Sequence, residues 1–156
     1  LQFDIQPLIS VESFGTAAQA ISIANDYDLL IIDGPARASK GTLDIARVAN
    51  LVVQPTGASL DDLVPAIKLF HSLVKEGIHK SKLVFALVKV GTESEESETK
   101  NYIKEAGYEV LDGCLVEKPS YRQAQNAGYS VTETRYKALN ERADKLIQSL
   151  INQVGE

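Results

Sequence analysis

The chain of 156 residues has a single cysteine, Cys114, which excludes a disulfide within the chain and makes a reducing, cytoplasmic setting the expectation. No apolar run approaches the length needed to span a membrane, and the opening residues do not read as a signal peptide, so no membrane partner is expected. Positive charge is also scarce. Lys and Arg number 16 against 21 Asp and Glu, a formal net charge of −5, so no global basic field draws the chain to nucleic acid. Any such contact needs a local patch. There is no internal repeat and no low-complexity tract. No stretch matches the phosphate-binding pattern G-x-x-x-x-G-K-[ST], and "GPARASKGT" (34–42) reads as a surface loop. The two histidines, His71 and His79, have no third ligand nearby in sequence to make a zinc site.

The residues that are present alternate between strand-like and helix-like runs. Hydrophobic content of 44% and charged content of 24% are those of one globular domain over residues 1–156. "FDIQPLIS" (3–10) is a short strand candidate weakened by Pro7, and residues 13–25 carry helical spacing behind Ser13 as N-cap. "DLLIIDG" (28–34), "NLVVQPT" (50–56) and "KLVFALVKV" (82–90) have consecutive apolar residues, the pattern of strands buried on both faces. "EVLDGCLVE" (109–117) is a shorter strand, and Cys114 within it reads as a small buried hydrophobe.

Helices are expected over 41–49, after Ser59, over 92–107, over 119–128 and over 131–153. The helix after Ser59 has Asp61 and Asp62 in its first turn, where carboxylates suit the dipole, and closes at Gly77. Pro65 within it predicts a kink or a late start. The acidic front of 92–107 reads as a solvated face. Strands separated by helices imply parallel pairing through crossovers, hence an α/β three-layer sandwich with a mostly parallel sheet.

In such sheets ligands bind beyond the carboxyl ends of the strands. Asp33 ends an apolar run, and Gly34 and Pro35 then turn the chain away and leave room for a ligand. A carboxylate held there suits magnesium, or a water on magnesium, beside a nucleotide phosphate; a cap for the following loop is the plainer alternative.

The order "YDLLIIDGPA", "VANLVVQPTGASLDDL", "KLVFALVKV", "YRQAQNAGYSVTE" resembles the ParA/MinD family of partition ATPases over about residues 25–150. Tyr121, Ala124, Gly128, Val131 and Glu133 match that family's tail pattern. The resemblance implies a P-loop NTPase-like fold, here the carboxyl-terminal portion lacking the P-loop strand and the aspartate-rich segment after the next strand. It implies ATP and magnesium as cofactors, with Asp33 as the Walker B aspartate and Gly34 and Pro35 shaping the switch-like loop. Lys89 lies where many members have an adenine-contacting asparagine, at the end of the third strand. Asp61 and Asp62 would lie near the face of an ATP-bound homodimer. Members often bind DNA nonspecifically, for which Lys80, Lys82, Arg135, Lys137, Arg142 and Lys145 are the candidates, and work with a ParB-like partner in plasmid or chromosome segregation.

On this reading the chain alone is not an active ATPase. The other readings are a non-catalytic binding module of the same fold, or a different α/β enzyme with Asp33 as phospho-acceptor or cap; the early acidic pair a phospho-acceptor needs for its metal is missing. The runs "LLIID" and "LVVQP" are expected to be parallel and adjacent, or separated by one strand. A missing central strand would leave a slot, closed by another chain, by a swapped strand or by direct pairing of the two runs. A fourth possibility, that these residues are part of a longer molecule, is the expectation preferred, since the chain starts without methionine.

Overall fold

The computed structural model describes residues 9–34 and 39–155. The chain divides into two compact units, Leu1–Val48 and Ala49–Glu156. Among the described residues the fold is mixed α/β, with one parallel three-stranded sheet and six α-helices.

The first unit is helical. Helix α1, Ala17–Ser22, starts on a reciprocal cap in which the Thr16 hydroxyl accepts from the Gln19 backbone and the Gln19 side chain accepts from the Thr16 backbone. It begins later than the sequence spacing predicts, and Thr16 rather than Ser13 is its cap. Helix α2, Lys40–Val48, packs against it, close enough that a Cβ at Gly41 would lie 3.4 Å from the Ala17 methyl. The expected strand over 3–10 lies mostly outside the described residues, and Ile9 and Ser10 belong to no strand.

The strand expected over 28–34 is not formed, which corrects both that assignment and its expected pairing with 51–55. Residues 29–34 carry no regular structure, and Leu29 and Ile31 are 62% and 82% exposed. A strand exists only through a partner's donors and acceptors. Apolar sequence without such a ladder forms no strand.

The second unit holds the sheet. Strand β1, Val52–Thr56, is followed by helix α3, Leu60–Lys75; strand β2, Leu83–Leu87, by helix α4, Glu93–Glu105; and strand β3, Glu109–Val110, by helices α5, Pro119–Asn126, and α6, Lys137–Val154. The sheet order is β1-β2-β3, all parallel, with Val52 opposite Leu83 and Val84 opposite Glu109. β3 is much shorter than its sequence run; beyond it the pairing continues through a bond from Leu115 N to the Leu87 carbonyl and an isolated bridge between Val90 and Val116.

β2 is the centre of this unit and is buried along its whole length, as its continuous apolar run predicts. Its alternating side chains serve two layers. Phe85 meets Phe70 of α3 at 4.5 Å between ring centroids, and Tyr108 closes the same aromatic group. Val84 and Ala86 point the other way, into a cluster with Leu111 and with Leu146 of α6. Helices on both faces of a parallel sheet make the three-layer arrangement expected for this part of the chain. Gly113, with φ of +81°, lets the α6 backbone approach closely; a Cβ there would sit 3.0 Å from the Leu146 nitrogen.

α3 starts at Ser59, whose hydroxyl accepts from Asp62 N, and runs without a break through Pro65. The proline falls near the helix start, so its missing N–H forfeits only the bond to the Asp61 carbonyl. On α6, Ala143 and Leu146 are buried, whereas Ile147 and Ile151 are exposed. β1 is only half-buried, unlike β2. Among the described residues it pairs on one side alone.

Candidate functional site at the carboxyl edge of the sheet

In a parallel sheet with alternating helices, every strand delivers its carboxyl end and the next helix its amino end to one edge. Here that edge is built from two crossings. The β1 crossing is Thr56-Gly57-Ala58-Ser59, leading into α3. Thr56 is buried; its carbonyl accepts from Val88 N at 3.0 Å and its hydroxyl donates to the Gly57 carbonyl at 3.1 Å. The Asp62 carboxylate lies directly against Gly57, so close that an added Cβ would collide with Oδ2. A side chain at this position would displace the Asp62 carboxylate. Asp61, one residue earlier, is exposed.

The β2 crossing is Val88-Lys89-Val90-Gly91-Thr92, leading into α4. Lys89 has φ of +56°, the sole positive φ outside glycine among the described residues, and its side chain is exposed. A left-handed lysine is costly by about 1–2 kcal/mol relative to ordinary backbone and is held here by flanking pairing. Val88 N donates to the Thr56 carbonyl before it, and Val90 N to the Leu115 carbonyl after it. Thr92 caps α4 by accepting from Glu95 N, and Glu95 reaches back to accept from Gly91 N at 2.6 Å. The starts of α3 and α4 are thus each occupied by a carboxylate of the same chain, Asp62 and Glu95. Lys89 is an exposed cation at this edge.

Behind the edge is a polar network that the sequence pattern does not reveal. The Cys114 thiol donates to Glu96 Oε2 at 3.1 Å, and Lys100 Nζ pairs with Glu96 Oε1 at 2.8 Å. Burial alone would push the Glu96 carboxyl up. The hydrogen bonds from Lys100 and Cys114, with the charges of Lys100 and Arg142, outweigh it and hold the group below the ordinary value. Burial first, then the Glu96 carboxylate, push the Cys114 thiol up to about 11. Cys114 is buried as expected, but as a hydrogen-bonded thiol rather than a plain hydrophobe. The i,i+4 spacing of Glu96 and Lys100 was the available signal; the cysteine's arrival beside them is a tertiary event.

The residues expected in function are distributed as follows. Asp61, Asp62 and Lys89 come to the carboxyl edge of the second unit. Asp33 and Gly34 belong to the first unit and are exposed; Pro35 lies outside the described residues. The basic candidates do not form one face. Lys80 and Lys82 precede β2, at the amino end of the sheet, where Lys82 Nζ donates to the Ala49 carbonyl at 2.9 Å and Lys80 sits over the Tyr108 ring at 4.9 Å. Arg142 faces the opposite end of β2, paired with Glu93 in the first turn of α4 at 3.1 Å. Lys137 pairs weakly with Glu141, Arg135 stacks on Tyr136, and Lys145 lies on α6.

His71 bonds Tyr108 and His79 bonds Ser81, so each histidine has a local partner. Among the described residues no group of three or more His, Cys, Asp or Glu is placed to hold a metal ion. No helix there is long and apolar enough to cross a membrane. Against known proteins, no family model matches the chain and no curated protein matches it.

Proposed function

We propose that the chain is the carboxyl-terminal part of a cytoplasmic ParA-like ATPase for plasmid or chromosome partition, with a P-loop NTPase-like fold in the intact protein. The observation that carries this reading is the one-sided pairing of β1. Thr56 turns its carbonyl toward β2, so by the alternation of a parallel ladder Val53 and Pro55 turn their backbone groups outward. Val53 offers a donor and an acceptor. Pro55 has no N–H to lose, and its carbonyl is held by the Gln54 side chain at 2.9 Å. Val53 alone leaves a donor and an acceptor for a further strand, which in this reading bears the phosphate loop; Pro55, with its carbonyl held by Gln54, marks the limit of that pairing.

The intact enzyme would bind ATP with magnesium and switch between monomer and homodimer, with Asp61 and Asp62 near the dimer face and a ParB-like protein and nonspecific DNA as partners. Asp33 is a lone exposed carboxylate. That suits magnesium kept largely hydrated and bridged to phosphates, and is not by itself a magnesium site. Asp33 would orient the ion's water shell, and Lys89 would stand at the nucleotide's base end of the edge. When bound, magnesium would neutralise charge on the transferring phosphoryl group.

The test is ATP hydrolysis by the intact protein and its Asp33→Ala variant. Turnover lost with far-ultraviolet circular dichroism unchanged supports the reading; loss of both together assigns Asp33 a structural cap instead. The second reading is a non-catalytic binding module of the same fold. Undetectable ATP binding by the intact protein would select it.

A further inference from the structure

The segment from Lys118 to Lys137 differs in charge from everything around it. It holds Lys118, Arg122, Arg135 and Lys137 against Glu133 alone, a net of +3, so the remaining residues carry −8 of the total −5. All four cations are exposed. Glu133 accepts from Ser130 N at 2.8 Å; exposed Glu117 and Glu141 flank the segment, and Glu141 pairs with Lys137 at 3.6 Å, so Lys118, Arg122 and Arg135 are the cations that carry the patch.

The same segment exposes two tyrosines, Tyr129 at 58% and Tyr136 at 46%. Arg135 lies over the Tyr136 ring at 5.1 Å. Exposed tyrosine and arginine are the residue types that carry most of the energy in protein interfaces.

The loop joining α5 to α6 is also built to hold its shape. Gly128, with φ of +80°, ends α5, and Tyr129 N donates back to the Ala124 carbonyl at 2.9 Å. Thr134 is buried; its hydroxyl and amide both donate to Asn140 Oδ1, at 2.7 and 2.9 Å, and Asn140 Nδ2 returns a bond to the Thr134 carbonyl. Tyr121 ties α5 to α6 by donating to the Leu139 carbonyl at 2.8 Å. A preorganised loop loses little entropy on binding. No catalytic role proposed above uses this loop.

We propose that the α5–α6 loop, with the exposed side of α5 and the first turn of α6, is a docking surface for a short acidic segment of another protein. Charge complementarity selects an anion. The acidity of the remaining chain selects a short one, since a long polyanion would run beyond the patch onto repulsive surface. The two tyrosines favour a segment that also carries apolar side chains, seated on the rings while its carboxylates meet Lys118, Arg122 and Arg135.

The test is fluorescence anisotropy with the full chain. The probes are a labelled peptide of Glu-Glu-Phe repeats, a Lys-Lys-Phe counterpart, a labelled oligothymidine and a labelled DNA duplex. The expected result is binding of the acidic peptide alone, weakened by added salt. It is weakened about tenfold or more by the double substitution R135A/Y136A, the loss of one well-made contact. Tyr129→Ser should act in the same direction, while Lys104→Ala on α4 should change nothing. Circular dichroism on each variant separates lost contact from lost fold. Preference for either nucleic acid with the same sensitivity overturns the proposal in favour of a DNA surface. Absence of binding by all four probes, or binding of the acidic peptide that R135A/Y136A leaves intact, overturns it outright.

Discussion

Leu29–Ile32 and Leu83–Leu87 are nearly the same stretch of polymer. Each is an unbroken apolar run, and each sits ahead of a turn. One has become the most buried strand of the protein, with Leu83, Phe85 and Leu87 at 1% exposure or less. The other forms no strand, with Leu29 and Ile31 exposed and Leu30 and Ile32 half-buried; among the described residues Ile31 is the most exposed large apolar residue after Val11. What separates them is neighbours. β2 has β1 on one side and β3 on the other, with α3 and α6 above and below. A parallel strand cannot be stabilised from its own sequence, because every hydrogen bond it makes is to a segment distant in the chain.

The comparison is broken most strongly at its buried member. Phe85→Ala should cost about 3–5 kcal/mol, because the cavity opens between Phe70 and Tyr108. Ile31→Ala should change stability by no more than about 0.5 kcal/mol. Urea unfolding of the two variants reads the difference, and comparable losses would mean that residues 29–32 are buried in solution.

Alkaline pH should act next, through the second unit alone. Cys114, Tyr108 and Tyr121 are all raised, chiefly by burial. Raised acids bind more protons folded than unfolded, so their contribution is complete below the unfolded values and is lost as pH rises through the folded ones. For Cys114 the window runs from 9.0 to about 11. Thermal melts should be flat in that contribution below pH 9 and fall above it, and Cys114→Ala should soften the fall.

A smaller effect belongs to the helix starts. Ser59→Ala and Thr92→Ala should each cost about 1 kcal/mol, read from denaturation midpoints. The least effect is expected at the carboxyl edge. Gly57→Ala should cost no more than about 1 kcal/mol, because the exposed Asp62 carboxylate rotates away from the new methyl, and Asp62→Ala in the same chain should remove that cost. Additive losses in that double-mutant cycle would show that the two groups do not meet.

Local chemistry accounts for most of what could be read in advance. Ser59 and Thr92 start helices because a hydroxyl can accept from a backbone donor three residues on, and α3 and α4 end just before Gly77 and Gly107, both at positive φ. These are decisions made within a turn of helix. The apolar run at 83–87 pointed to a strand buried on both faces, but the same pattern at 29–32 did not become one, so the pattern marks a candidate and the neighbours decide it. The site was less legible. Asp61, Asp62 and Lys89 share an edge because parallel crossings bring strand ends together, which alternating strands and helices already imply. The left-handed backbone of Lys89 depends on hydrogen bonds either side of it, and the Glu96–Cys114 contact spans 18 residues.

By itself, then, the sequence determined the α/β alternation of the second unit, the caps and breaks of the larger helices and the parallel sense of the sheet. Each of these follows from side chains acting within a few residues or from connection lengths. Only the tertiary structure decided which apolar runs became strands, how far β3 extends, that the basic residues divide between opposite ends of the sheet, and that two tyrosines share a rigid, positively charged loop. Those outcomes turn on pairings between distant segments, and a backbone donor or acceptor is satisfied only by the partner that folding delivers to it.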